Sequence, residues 1–287
     1  MASVTATGPL KNSDSKLQGF QLYETQKAVH EYLQFHYATS EDVMPYARLL
    51  TGDSCNEHGL AFPHKLAHVC KAHAPKASSC SVLDLGCAVG GSSFTLATFE
   101  QFERVVGVDF SESFVTAARS MQTEQSATYQ RLVEGDSYEM ATAKLTDVQK
   151  QHAHKCQFFI GDACTVTAAE AGGEPFDVIL MANLLCRVPD PAKLLANAKA
   201  LLRRGGDGVV VIASPYSWTE AFTQKDRWVG GYDDESGKFV DSDSKLRDAM
   251  AAHGFELVET TDMPFVIREH RRKFQLGISS VHVYVLR

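Results

Sequence analysis

The run Val82-Leu83-Asp84-Leu85-Gly86-Cys87-Ala88-Val89-Gly90-Gly91 constrains the fold of this chain more than any other stretch. Apolar residues lead into an acid, glycine recurs four residues apart, and Ser92-Ser93-Phe94 open a helix. That is the pattern of a first strand, a tight glycine turn and a helix N-terminus in a nucleotide-binding α/β fold. The third glycine of a dinucleotide fingerprint is absent, which disfavours a nicotinamide enzyme. Asp84 precedes the turn, where an acid can meet an ammonium group. Further on, Val105-Val106-Gly107-Val108-Asp109 reads as a second strand ending in a carboxylate that can accept both hydroxyls of a ribose. A ligand with an amino-acid end, a ribose and no pyrophosphate satisfies all three features. S-adenosylmethionine, leaving as S-adenosylhomocysteine, is such a ligand.

The rest of the chain fits an alternation of strands and helices. Strands are expected at 82–84, 104–109, 157–160, 176–182, 208–213, 255–261 and 281–286, and helices at 92–100, 112–121, 191–203 and 243–253. Residues 21–50 and His58–Ala72 read as N-terminal helices, with a break before Pro45. The segment 129–155 reads as an extra hairpin or helix. These elements imply a doubly wound, Rossmann-like α/β sheet with an antiparallel last strand and N-terminal accessory helices. The expected organisation is a disordered tail over 1–20, a helical cap over 21–75 and a main domain over 76–287. Within that domain, residues rich in aromatics, Gly and Asp at about 214–241 would form a lid.

Composition narrows the class. A hydrophobic fraction of 44% and a charged fraction of 22% are those of an ordinary globular protein. A net charge of −7, with no basic stripe, argues against a nucleic-acid partner. The seven cysteines are odd in number and irregularly spaced, so they read as reduced thiols and suggest a cytoplasmic setting. No apolar run approaches the roughly 18 residues of a membrane span. The N-terminal stretch lacks both an apolar signal core and the arginines of a transit peptide.

The cofactor constellation extends beyond the opening run. Asp84, Gly86, Cys87, Ala88 and Gly90 would form the turn under the methionine moiety. Asp109 would take the ribose, with Phe110 beside it; its rival role is to cap the helix in Asp109-Phe110-Ser111-Glu112, although Ser111 can serve as the cap instead. Asp162 in Gly161-Asp162-Ala163 would accept the adenine amino group, with a neighbouring amide such as that of Ala163 serving the ring; a solvated loop acid is the plainer alternative. Asn183, after Phe176-Asp177-Val178-Ile179-Leu180-Met181-Ala182, would sit at the catalytic edge.

The chain resembles class I S-adenosylmethionine methyltransferases from about residue 80 to its end. The resemblance sharpens at Gly-Cys-Ala-Val-Gly 86–90, Ala-Asn-Leu-Leu-Cys-Arg 182–187, Ser-Pro-Tyr-Ser-Trp 214–218, Pro-Phe-Val-Ile-Arg-Glu 264–269, Arg272-Lys273-Phe274-Gln275 and Tyr-Glu-Thr 23–25. With these motifs it is similar to the 4-mercaptohistidine N1-methyltransferase family, the module that ends bifunctional 5-histidylcysteine sulfoxide synthases and also occurs alone. The resemblance implies a stand-alone enzyme that methylates an imidazole nitrogen of 5-thiohistidine to give ovothiol A. It would act after a separate sulfoxide synthase.

The substrate named by the resemblance is small and zwitterionic, so a charged clamp is expected. Arg268 could grip its carboxylate and Glu269 its amino group, with Arg187 a second carboxylate candidate. Each could equally belong to a solvated charge run. Adjacent residues on a regular strand point to opposite faces, so Arg268 and Glu269 can share one ligand only if the backbone turns there. Tyr216, Trp218 and Trp228 would wall the site from the lid, with Tyr216 a catalytic candidate. Tyr23, His36 and Tyr37 would cover it from the N-terminal helix, His36 orienting the imidazole unless it is a structural hydrogen-bonder. His64, His68, Cys70 and His73 carry an i, i+4 pair, but four ligands on one helical stretch cannot close around zinc, and no metal is expected. Open alternatives are a methyltransferase for another small imidazole, amine or thiol, and a non-catalytic S-adenosylmethionine-binding protein. Intact Asp84, Gly86, Gly90, Asp109 and Asp162 argue against the second.

Overall fold

The computed structural model describes residues 19–46, 60–76, 79–203, 205 and 207–287. The expected tail therefore lies outside the described residues through residue 18, as do Cys55 and the starts and ends of the N-terminal helical segments at 47–59. After a 3-10 turn at Gly19–Glu24 come α1 (Gln26–Tyr37), the short α2 (Ser40–Val43) and α3 (Phe62–His73). The alternation follows as β1 (Cys80–Leu85), α4 (Gly91–Ala97), β2 (Phe102–Asp109) and α5 (Glu112–Glu124). A hairpin of β3 (Ser126–Glu134) and β4 (Ser137–Lys144) then leads to α6 (Asp147–His152) and β5 (Cys156–Ile160). The chain continues through β6 (Val178–Ala182), α7 (Pro191–Leu201), β7 (Val209–Ser214) and a two-stranded ribbon, β8 (Tyr232–Asp233) with β9 (Phe239–Val240). It ends with α8 (Ser242–Ala252), β10 (Phe255–His270) and β11 (Lys273–Leu286). The ambiguous 129–155 segment thus holds both a hairpin and a helix.

Seven strands form one sheet in the order β10-β11-β7-β6-β1-β2-β5. The five from β7 to β5 are parallel, and β11 runs antiparallel to β7. Because neighbouring residues of a strand face opposite sides, the central strands feed two cores. Val82, Val105, Leu180 and Val211 face α1, α3, α4 and α5, whereas Leu83, Val106, Ile179 and Val210 face α7 and α8. Among the described residues no helix is long and apolar enough to cross a membrane. The described cysteines, Cys70, Cys80, Cys87, Cys156, Cys164 and Cys186, are all buried.

The largest departure from expectation is the last pair of strands. The sequence suggests short strands at 255–261 and 281–286; the structure has 16 and 14 residues. Asp262 pairs with Ser280, and Ser280 pairs with Ser214 at the end of β7, so residues 263–279 run past the rim as an arm above the carboxyl ends of the parallel strands. The arm packs on α1, α2 and the β3–β4 hairpin instead of on two layers of helices. Its pattern is therefore not that of a core strand: Leu276 and Ile278 are exposed, and Arg268, Glu269, Lys273 and Gln275 are polar.

Candidate active site

The turn after β1 is built for close approach of a ligand to bare backbone. Gly86 and Gly90 have φ of +76° and +86°, and a Cβ on Gly86 would lie 2.9 Å from Leu184 Cδ1. Ala88 also lies in the left-handed region at φ 47°, a conformation that costs a residue with a Cβ about 1–2 kcal/mol. The Asp109 carboxylate stabilises it: Ala88 N donates to Oδ2 at 2.9 Å, and Ser111 N donates to Oδ1 at 2.9 Å. Helix capping falls to Ser111, whose Oγ accepts from Phe114 N at 3.1 Å. Each Asp109 oxygen keeps further acceptor capacity at the end of β2. Burial pushes its carboxyl up to about 6 against the restraint of the Ser111 and Ala88 amides.

Asp84 lies on the same sheet face, fully buried, with Ser93 Oγ donating to it at 2.7 Å. Burial pushes it up to about 7. Neither acid has an ion-pair partner among the described residues. Two carboxylates beneath a glycine turn, one fully buried and one partly open at the strand end, suit the ammonium and ribose ends of S-adenosylmethionine. At the neighbouring strand end, Asp162 Oδ1 accepts from Cys164 N at 2.9 Å, and buried Ala163 follows it. Gly161 N donates to Asp109 O at 2.9 Å, joining the two rims. Phe110 is half exposed and edge-on to Phe20. Buried Cys87 has its thiol pushed well up by burial, an inert packing group beside the turn.

Asn183 stands where β6 ends, at φ 55°, with its N–H bonded to Ala213 O at 2.8 Å. Ser279 Oγ on β11 donates to its Oδ1 at 2.6 Å. Alongside is a set of rings: Tyr23 packs on Tyr32, Phe114 and Phe222 at centroid distances of 6.0, 5.7 and 5.7 Å. The Arg187 guanidinium covers Phe222 at 5.0 Å. Tyr23 has its phenol pushed up by burial, with Arg187 opposing the shift. Burial pushes the Tyr32 phenol well up; Asp109 adds to the shift and Arg187 opposes it.

Several expected site residues are placed elsewhere. His36 does not face the cleft: it is buried beneath the turn, where its Nδ1 accepts from Gly91 N at 3.0 Å. Burial, and then His64, lowers its pKa to about 3, so it is a neutral acceptor that ties α1 to the glycine turn. The Tyr37 hydroxyl is likewise committed, donating to Val89 O at 2.6 Å. Tyr216 turns its phenol to the opposite face of the sheet, near Ser280, Asp243 and Tyr284. Trp218 and Trp228 stack on each other at 6.3 Å and spend their indole N–H groups on Ser242 Oγ and Thr223 O. These contacts anchor the 214–241 segment to α8 and to itself.

Arg268 and Glu269 do not form a clamp. The β10–β11 register shifts between Arg268 and His270, and the two side chains go to separate partners. Arg268 is buried and donates to Asp42 O, with Glu139 at 3.6 Å. Glu269 pairs with Lys273 at 2.6 Å near the tip of the arm. Arg187 is the arginine left at the cleft. The histidine-rich helix also disperses: His64 meets Thr95, His68 packs on Phe99 and His73 pairs with Glu259. Among the described residues no group of three or more His, Cys, Asp or Glu could hold a metal ion.

The placement of His36 gives a direct test. A Cβ on Gly91 would lie 2.5 Å from His36 Nδ1. Gly91→Ala is expected to destabilise the fold by about 1–3 kcal/mol through overpacking. A thermal unfolding midpoint equal to that of the wild type would show that His36 is not seated there.

A parallel sheet extended by a reversed strand, with cation-poor acids under its first turn, defines a class I S-adenosylmethionine-dependent methyltransferase. The chain belongs to the methyltransferase domain family, whose model matches residues 57–260. The ubiquinone biosynthesis O-methyltransferase of Coxiella burnetii is 29% identical over 126 residues, 44% of this chain. The match spans only 40% of that relative's length. Among solved structures, the [4+2]-cyclase SpnF aligns over 93% of this chain and 94% of its own, at 14% identity and a TM-score of 0.55. The YcgJ protein of Bacillus subtilis aligns over 78% of this chain and 99% of its own, at 13% identity and a TM-score of 0.50. At such identities these two likenesses establish the fold alone, and a cyclase among them illustrates that function resides in the site grafted on it.

Proposed function

We propose that the chain methylates a ring nitrogen of 5-thiohistidine, giving ovothiol A in the last step of ovothiol biosynthesis. The observation that carries this reading is Arg187, a cation held against the Tyr23–Phe222 wall and a few residues from Asn183. A guanidinium recognises a carboxylate as a fork, and flat rings suit an imidazole. The motifs at 182–187 and 214–218 that carry the family resemblance are the segments that build this corner.

Bound S-adenosylmethionine supplies an electrophilic methyl group on a sulfonium. Asp84 would face its ammonium end, Asp109 its ribose, and Asp162 and Ala163 its adenine beside Phe110. The remaining task of the protein is alignment, which can contribute on the order of 7–11 kcal/mol. The nucleophile is a neutral imidazole nitrogen, and an imidazole with a pKa of about 6.5 deprotonates readily near neutrality. The thiolate on the same ring is intrinsically the better nucleophile, so holding the nitrogen toward the methyl group is a positioning problem. Asn183, bonded to Ser279, and the Tyr23 hydroxyl would be the polar groups that hold the ring. The N-terminal helices would cover the pocket, and a separate sulfoxide synthase would supply the substrate.

Mass spectrometry of the purified protein incubated with S-adenosylmethionine and 5-thiohistidine tests the reading. One methyl group on a ring nitrogen is the expected product. Plain histidine should be a poor substrate, because a site arranged around the sulfur leaves polar groups unpaired without it. Bound cofactor with no methylated 5-thiohistidine would instead leave another small imidazole, amine, thiol or hydroxyl compound as the acceptor.

A further inference from the structure

We propose that Ser217 is a positioning residue that presents one edge of the Arg187 guanidinium to the carboxylate of a free amino acid. The proposal rests on reading the cleft as a site for a small amino-acid substrate. A guanidinium has five N–H donors in a rigid fork. In Arg187, Nη1 donates to Ser217 O at 2.7 Å and to Cys186 O at 2.9 Å, which uses both of its protons. Nη2 donates to Ser217 Oγ at 2.9 Å. Ser217 therefore occupies the end of the fork with two acceptors, one main-chain and one side-chain. The donors not taken by Ser217 and Cys186 are Nε–H and the second Nη2–H, on one side edge of the plane, where an incoming carboxylate would take them over from the Tyr23 phenol. Two parallel donors on one edge are the arrangement that takes a carboxylate through both oxygens.

The loop explains why Ser217 can hold that position. Tyr216 has φ 50°, and its N–H donates to Ser214 Oγ at 3.2 Å. Its side chain runs to the far face of the sheet, beside Ser280 and Asp243. Trp218 N donates back to Tyr216 O at 2.9 Å, and its indole is tied to Ser242 at the start of α8. With both neighbours anchored on the α8 side, Ser217 alone faces Arg187. Its hydroxyl accepts from Nη2 and has Cys186 Sγ at 3.7 Å as an outlet for its own proton. A long arginine at a partly open rim, otherwise free to sample many rotamers, is held in one of them.

Ser217→Ala removes the hydroxyl and keeps the carbonyl. It should raise the KM for 5-thiohistidine about tenfold, with kcat within about twofold and S-adenosylmethionine affinity unchanged. Ser217→Thr should restore the KM. Toward the decarboxylated analogue, 5-thiohistamine, wild type and Ser217→Ala should have the same high KM, a pattern that general loosening of the loop would not produce. An unchanged KM in Ser217→Ala, or a wild-type KM indifferent to loss of the carboxylate, overturns the proposal. If the wild type neither binds nor methylates 5-thiohistidine, the functional reading fails separately. Calorimetry of the S-adenosylhomocysteine complex with a panel of free amino acids and their amides then decides. Amino-acid binding that weakens in Ser217→Ala and in the amides upholds the carboxylate site, and its absence removes it.

Discussion

Asp109→Ala is expected to lower affinity for S-adenosylmethionine by on the order of 1–3 kcal/mol, a factor of several to more than a hundred in Kd. The substitution acts twice. Two ribose hydroxyls lose a shared acceptor, and the Ala88 and Ser111 amides that Asp109 now holds are released. Because Ala88 sits at positive φ, release also lets the turn relax away from the shape the methionine end requires. Asp109→Asn separates the two effects, since its amide keeps one acceptor for the backbone and offers the ribose a single oxygen. Its loss should be intermediate. Asp162→Ala should be milder than either, because adenine also has stacking and backbone contacts. Isothermal calorimetry on variants with wild-type circular dichroism reads these losses; unchanged affinity in folded Asp109→Ala would remove Asp109 from the ribose.

The placement of the candidate cofactor residues was legible in the sequence because each lies at or just after a strand end. Asp84, Asp109, Asp162 and Asn183 end or follow consecutive strands, and adjacency in the sheet does the rest. The substrate half depends on where side chains point after irregular backbone, and sequence pattern carries little of that. The φ of Tyr216 sends its ring to the far face and leaves Ser217 at the cleft, an inversion that no periodicity predicts. Arg268 and Glu269 form an attractive zwitterion clamp as a dipeptide, but they stand on an arm whose length was hidden by its polar and exposed apolar residues. Tyr32 offered a signal that went unread: with Phe35 and His36 it makes an aromatic patch on α1, which packs on Phe114 of α5 at 4.6 Å. Ser279 offered none, because its partnership with Asn183 depends on the register of the reversed strand.

The unliganded protein should be more stable at about pH 5 than at about pH 8, and the cofactor should offset that trend. Asp84 and Asp109 are carboxyls with ordinary values of 3.8, pushed up to about 7 and about 6 by burial. A group whose folded pKa is raised binds its proton more tightly in the native state than in the unfolded chain. Its contribution is therefore fully present below the unfolded value and is lost as the pH rises through about 6 and about 7. At about 1.4 kcal/mol per pH unit for each group, the loss over this window amounts to several kcal/mol. In a chain of this size that moves the midpoint by on the order of several degrees. S-adenosylmethionine brings an ammonium and a sulfonium, which favour the ionised carboxylates, so the midpoint gain on adding it should grow from about pH 5 to about pH 8. Asp84→Asn keeps an acceptor for Ser93 but cannot ionise. It should flatten the pH dependence of the unliganded protein and diminish the cofactor's gain at high pH. Differential scanning fluorimetry across this range, with and without cofactor, gives all four curves. If wild type and Asp84→Asn without cofactor show the same slope, Asp84 is not the group that titrates.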